Sequence, residues 1–113
     1  MDAITSVIIN KALDGLSLRY AATADNIANA NSRTYAPKRV AFEDSLKAAA
    51  ARGDDAVEQM ALAVTHAPAS ALGAEPRLDL ELATASATSG RYSALIELLG
   101  REMAIDRSVI GAQ

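Results

Sequence analysis

Residue types that do chemistry are few in this chain, and their spacing withholds most of it. His66 is the sole histidine and stands between Thr65 and Ala67 with no nucleophile or carboxylate beside it, so it reads as a solvated or packed imidazole rather than a general base. Asp54 and Asp55 are adjacent, which makes their side chains diverge, and beside Gly53 they read as a solvated turn. Asp79 and Glu81 lie two apart, on different faces of a helix, where early acids favour the N-terminal end. Gly15, Gly53, Gly73, Gly90, Gly100 and Gly111 are scattered, so no loop is built to cradle a phosphate. Cysteine is absent, which excludes disulfides and thiolate metal ligands. No catalytic, cofactor-binding or metal-ligating set is expected, and no small-molecule substrate; the chain is not expected to be an enzyme.

What stands out is a run of short amides at residues 25–35, DNIANANSRTY. Asparagine at a helix end can take the left-handed conformation and satisfy orphan carbonyls, so Asn29 or Asn31 reads as a C-cap, with Pro37 barring continuation. Asn26 lies a full turn inside, next to Ile27, where its amide is expected to fix register by bonding to another chain's backbone. Tyr35 has two readings. It packs back on its own helix, or its face and hydroxyl anchor an interface.

The elements that position these residues follow from periodicity. Ile9, Leu13, Leu16, Tyr20, Thr23, Ile27 and Ala30 recur at alternating steps of four and three, the seam of a helix packed lengthwise against another. At about 1.5 Å per residue that helix is on the order of 40 Å long, and Gly15 weakens it by about 1 kcal/mol. Leu78, Leu82, Ala85, Ser89, Tyr92, Ile96, Leu99, Met103 and Ile110 repeat the pattern, with Leu95, Ile105 and Val109 widening the stripe. Between them Pro37, Gly53-Asp54-Asp55, Pro68, Gly73 and Pro76 break the chain, leaving helical pieces near Phe42–Ala51 and Val57–Val64. The fold class is therefore all-α: long N- and C-terminal helices (1–35 and 78–113) paired as a coiled-coil-like hairpin and joined by a largely irregular connector (36–77).

Composition limits the partners. Half of the 113 residues are apolar but only four are aromatic, and much of the apolar count is alanine, which buries little area and leaves helices reliant on neighbours. A net charge of −3 with interspersed signs offers no attraction for nucleic acid. The start, Met1-Asp2, followed by an apolar run cut at Lys11 and Asp14, does not read as a Sec signal, and no stretch approaches the roughly 20 apolar residues of a membrane span.

The segment Asn26-Ile27-Ala28-Asn29-Ala30-Asn31-Ser32-Arg33-Thr34-Tyr35 resembles the Asn-Ile-Ala-Asn…Thr-Pro-Gly-Tyr signature of bacterial flagellar axial proteins, the rod, hook and hook-junction subunits. Within that family, the short length and the segments Arg91-Tyr92-Ser93-Ala94-Leu95 and Asp106-Arg107-Ser108-Val109-Ile110 are most similar to proximal-rod members. The resemblance covers residues 10–47 and 78–110. Arg33 and Thr34 stand where the family has Pro-Gly, Thr88 where it often has asparagine, and Ala69 where it has histidine. It implies a structural subunit of the basal-body rod in the periplasm, exported without a cleaved signal peptide through the type III apparatus. Such a chain self-associates helically and meets other rod subunits, rod-base adaptor and export-gate proteins. On that reading the subunit interface comprises Leu13, Leu16, Tyr20, Asn26, Ile27, Asn29, Tyr35, Tyr92, Leu95, Ile96, Leu99 and Met103. An expectation of another class is a peripheral membrane-associated or export-related helical adaptor, because residues 4–20 are amphipathic, although their polar face is not rich in Lys or Arg.

Overall fold

The computed structural model describes residues 1–68 and 77–111. Elements run α1 (Ala3–Ala28), β1 (Lys38–Arg39), α2 (Glu43–Ala50), α3 (Asp54–Gln59), β2 (Thr65–His66) and α4 (Leu78–Gly111). The two long helices pair antiparallel, as the stripes predict: the Met1 ammonium lies 3.3 Å from Asp106 at one end, and Asn26 lies 3.1 Å from Glu81 at the other. Asp2 caps α1, its carboxylate accepting from the Thr5 N–H at 2.9 Å. Ala69, Gly73 and Pro76, singled out in the sequence, lie outside the described residues.

Among its described residues the connector is irregular outside two short helices and a short ladder, as expected. It carries α2, close to the expected Phe42–Ala51, and it carries α3, which begins earlier than the expected Val57. Gly53-Asp54-Asp55 is a helix start rather than a solvated turn: Gly53 takes φ +110, a conformation open to glycine, and the two aspartates occupy the first turn, where the helix dipole favours negative charge. A two-residue antiparallel ladder, Lys38 with His66 and Arg39 with Thr65, ties the ends of the connector together. Periodicity cannot announce so short a strand.

The core lies between α1 and this connector. Leu16, Ala22, Val40, Phe42, Leu46, Ala49 and Val57 are its buried members, and none of them belongs to α4. α1 therefore has two working faces. At about 100° per residue, Ile9, Leu13, Leu16, Tyr20, Thr23 and Ile27 form the predicted seam toward α4, while Lys11, Gly15, Arg19, Ala22 and Asn26 form a second stripe that carries the connector. Lys11 donates to the carbonyls of Glu58 and Met60 at 3.1 and 3.0 Å, satisfying the C-terminal end of α3. Arg19 donates to the Val40 carbonyl at 3.0 and 2.8 Å and forks onto Glu43 at 2.8 and 2.6 Å, with its guanidinium 4.9 Å from the centre of the Phe42 ring.

The molecule measures 63 × 27 × 14 Å. α2, α3 and β1 all pack on α1, whereas α4 has α1 as its one packed neighbour among the described elements.

Gly15 is required where helix propensity alone would prefer alanine. A Cβ there would stand 2.7 Å from the Phe42 ring. Gly15→Ala is expected to lower stability by about 1–3 kcal/mol despite the gain in propensity, and Gly15→Ala/Phe42→Leu to recover part of it, both read by thermal melting. Acid should act at Glu43, whose carboxyl is held down from an ordinary 4.5 to about 2, chiefly by its hydrogen bonds from Arg19 and against the opposing effect of burial. A group depressed in the fold stabilises above its unfolded value and loses that contribution as pH falls, here from about 4.5 toward about 2. Melting curves across that window should show a drop in the wild type that is smaller in Glu43→Gln.

Candidate functional site

The amide cluster builds one polar junction where α1, β1 and α4 meet. Asn26 is 5% exposed and uses its whole hydrogen-bonding capacity. Its Nδ2 donates to the Lys38 carbonyl at 2.9 Å and to Glu81 Oε2 at 3.1 Å, while its Oδ1 accepts from the Lys38 N–H at 2.7 Å and from the Tyr35 hydroxyl at 3.1 Å. Bonding to both backbone groups of one residue is what a neighbouring strand does, so Asn26 supplies the missing outer partner of β1. The expected backbone contact exists, but the backbone is the chain's own; the correction follows from the turns after α1, closed by the Ser32 N–H on the Asn29 carbonyl at 3.0 Å and the Tyr35 N–H on the Ser32 carbonyl at 3.4 Å, which bring the chain back within reach.

Charges close around this junction. Glu81 pairs with Arg39 at 3.0 Å, and Lys38 pairs with Asp25 at 2.8 Å, an ion pair that raises the Lys38 ammonium above its ordinary value. Asn29 is the C-cap of α1, but with φ −107 and ψ 17 rather than a left-handed conformation, and its side chain donates to the Asp25 carbonyl at 2.9 Å. No non-glycine residue has positive φ among those described. Arg33 and Thr34 thus make their turn without the Pro-Gly geometry. The Tyr35 hydroxyl returns to α1 through Asn26, and the ring is half-buried.

The hairpin seam is the second feature. Leu13 and Leu16 are buried and Ile27 half-buried, whereas Tyr20 is 50% exposed. On α4 the residues turned inward are Glu81, Ala85, Thr88, Leu95, Leu99 and Glu102, at steps of four, three and seven, and Thr88 alone is fully buried. Ala85 and Leu99 match the predicted stripe, and Tyr92 lies at its margin. Leu78, Leu82, Ser89, Ile96, Met103 and Ile110 do not; they are exposed. The reason is width. Apolar positions of α4 span an arc of roughly 200° at 100° per residue, and α1 covers only its middle.

Two apolar flanks are left bare. One carries Leu78, Leu82, Ile96, Met103 and Ile110; the other carries Leu80, Leu98, Ile105 and Val109, each between 41% and 71% exposed. Beside the first flank Leu16, Tyr20, Thr88 and Tyr92 line a groove of 360 Å³. On the other side Ile8, Ala12, Leu46, Ala50 and Leu95 line a more apolar one of 750 Å³. Apolar surface of this extent is uncommon on a small monomeric chain.

The sequence missed Lys11, Gly15, Arg19 and Glu81. A stripe of polar and small residues at heptad-like spacing on one face of α1 was the available signal. Among the described residues no group of His, Asp and Glu is placed to hold a metal ion, no helix is long and apolar enough to cross a membrane, and His66 is exposed in β2. Compared with family models, curated proteins and solved structures, the chain matches none.

Removing the Asn26 amide leaves the Lys38 N–H without a partner and its carbonyl with the Arg39 guanidinium alone, at 2.8 Å. Asn26→Leu is expected to cost about 2–3 kcal/mol in denaturant unfolding. Asn26→Asp should lose at least as much, because it keeps the acceptor but sets a carboxylate against Glu81. Tyr35→Phe, which removes one of four bonds, should cost about 1 kcal/mol.

Proposed function

We propose that this chain is a structural subunit of the bacterial flagellar axial assembly, placed in the rod at its proximal end. The observation that carries the reading is the bare pair of apolar flanks on α4, a helix that packs along α1 alone. A surface of that kind calls for sister or neighbouring subunits. The residues of the Asn-Ile-Ala-Asn…Tyr resemblance support it from another side, since Asn26 and Tyr35 fix the junction that closes the hairpin and so fix which faces of α1 and α4 point outward. In this role the protein assembles rather than catalyses. Its partners are other copies and neighbouring rod, adaptor and export-gate subunits, and its place is the periplasmic rod, reached without cleavage of a signal.

The flank bearing Ile96 and Met103 is the surface to test, because its residues are 46% and 52% exposed and can change without disturbing the fold. Strains carrying Ile96→Asp or Met103→Asp in place of the native gene are expected to lose swimming and to yield few basal bodies, while the purified variants keep wild-type helicity. Normal motility and normal basal bodies in both would overturn the reading.

A further inference from the structure

The second flank of α4 and the larger groove share one face of the molecule. Ala94 and Leu95 of α4 form one wall of the groove, Leu46 and Ala50 of α2 form the other, and Ile8 and Ala12 of α1 floor it. Immediately along the same helix, Leu98, Ile105 and Val109 stand out as a ridge, 45%, 55% and 56% exposed. A groove and a ridge side by side on one face are what a twofold axis can exchange, the ridge of one molecule entering the groove of another and the reverse.

We propose that the free chain forms a closed dimer through this face, with its axis at Leu98 and the two α4 helices antiparallel. The charges agree with that register. Arg91 lies seven residues before Leu98 and Ile105 seven after it, so each Arg91 falls opposite Ile105 of the other copy, one residue from its Asp106 and within reach of a long guanidinium side chain. Arg91 and Lys47, on opposite sides of the groove, have no ion-pair partner among the described residues. Asp106 is held only by an exposed contact with the Met1 ammonium, which a guanidinium can replace.

The size fits as well. From Arg91 to Val109 the shared strip is about 27 Å long and, across two helices, about 20 Å wide, or about 1,100 Å² over both copies, just above the roughly 1,000 Å² that a specific interface should clear. Because the contact is isologous it closes at two copies and leaves the Ile96–Met103 flank free. The proposal stands apart from the rod reading: a closed dimer concerns the unassembled chain, and motility reports on the opposite flank.

Sedimentation of the purified chain from about 1 to about 200 µM tests it. The expected species has twice the mass of the 11.7 kDa chain. Leu98→Glu, Arg91→Glu and Asp106→Arg should each raise the dissociation constant at least about tenfold at unchanged helicity, and Arg91→Glu/Asp106→Arg should recover most of the loss. Ile96→Glu, on the other flank, should leave the dimer intact. A monomer at every concentration, open-ended association, or a dimer that survives Leu98→Glu but not Ile96→Glu would overturn the proposal.

Discussion

The structure depends on one amide. Asn26 holds the backbone of Lys38 by both its N–H and its C=O, and through that grip the chain leaving α1 is turned back along it. Residues Val40 and Phe42 follow two and four positions later, so their burial against α1 is a consequence of where Lys38 is fixed. The Phe42 ring then lies on Gly15, and Arg19 locks the start of α2 from the same stripe. A buried side-chain network of this sort is stable only when every member is satisfied, and at Asn26 every member is.

From that geometry comes an unequal division of labour. α1 and the connector share the buried core, whereas α4 lies against α1 through a seam containing Glu81, Thr88 and Glu102 and contributes no buried apolar side chain. Its attachment relies on half-buried leucines and on polar links at the two ends. Exposed ion pairs such as that of Met1 add at most about 1 kcal/mol. α4 is thus the element whose surface is least satisfied within one chain.

Much of the fold was written in the spacing of apolar residues, and the failures have physical causes. Ile9, Leu13 and Leu16 gave the correct face of α1 because a single neighbour covers that seam. On α4 the same rule chose Leu78, Leu82, Ile96 and Met103, since periodicity finds the centre of apolar mass and not the strip a particular neighbour will cover. Asn26 could be recognised as out of place within a helix; its partner could not, because Lys38 is brought back only by the three-dimensional turn. Gly15 looked like a weakness in the helix, and only the Phe42 ring shows why a side chain is excluded there.

The width of the α4 stripe also bears on how folding and association are related. A helix packed along one neighbour buries an arc of about 100°, so a stripe near 200° cannot be covered in a two-helix hairpin whatever the register. Rotating α4 to bury Ile96 and Met103 would expose Leu95 and would withdraw Glu81 from Asn26 and Arg39, leaving a buried amide and a cation without their partner. The observed register is therefore set by the polar junction, not by the largest apolar burial. A seam chosen in that way keeps apolar surface outward in the isolated chain, where a partner with a matching stripe can reach it without any change in the hairpin.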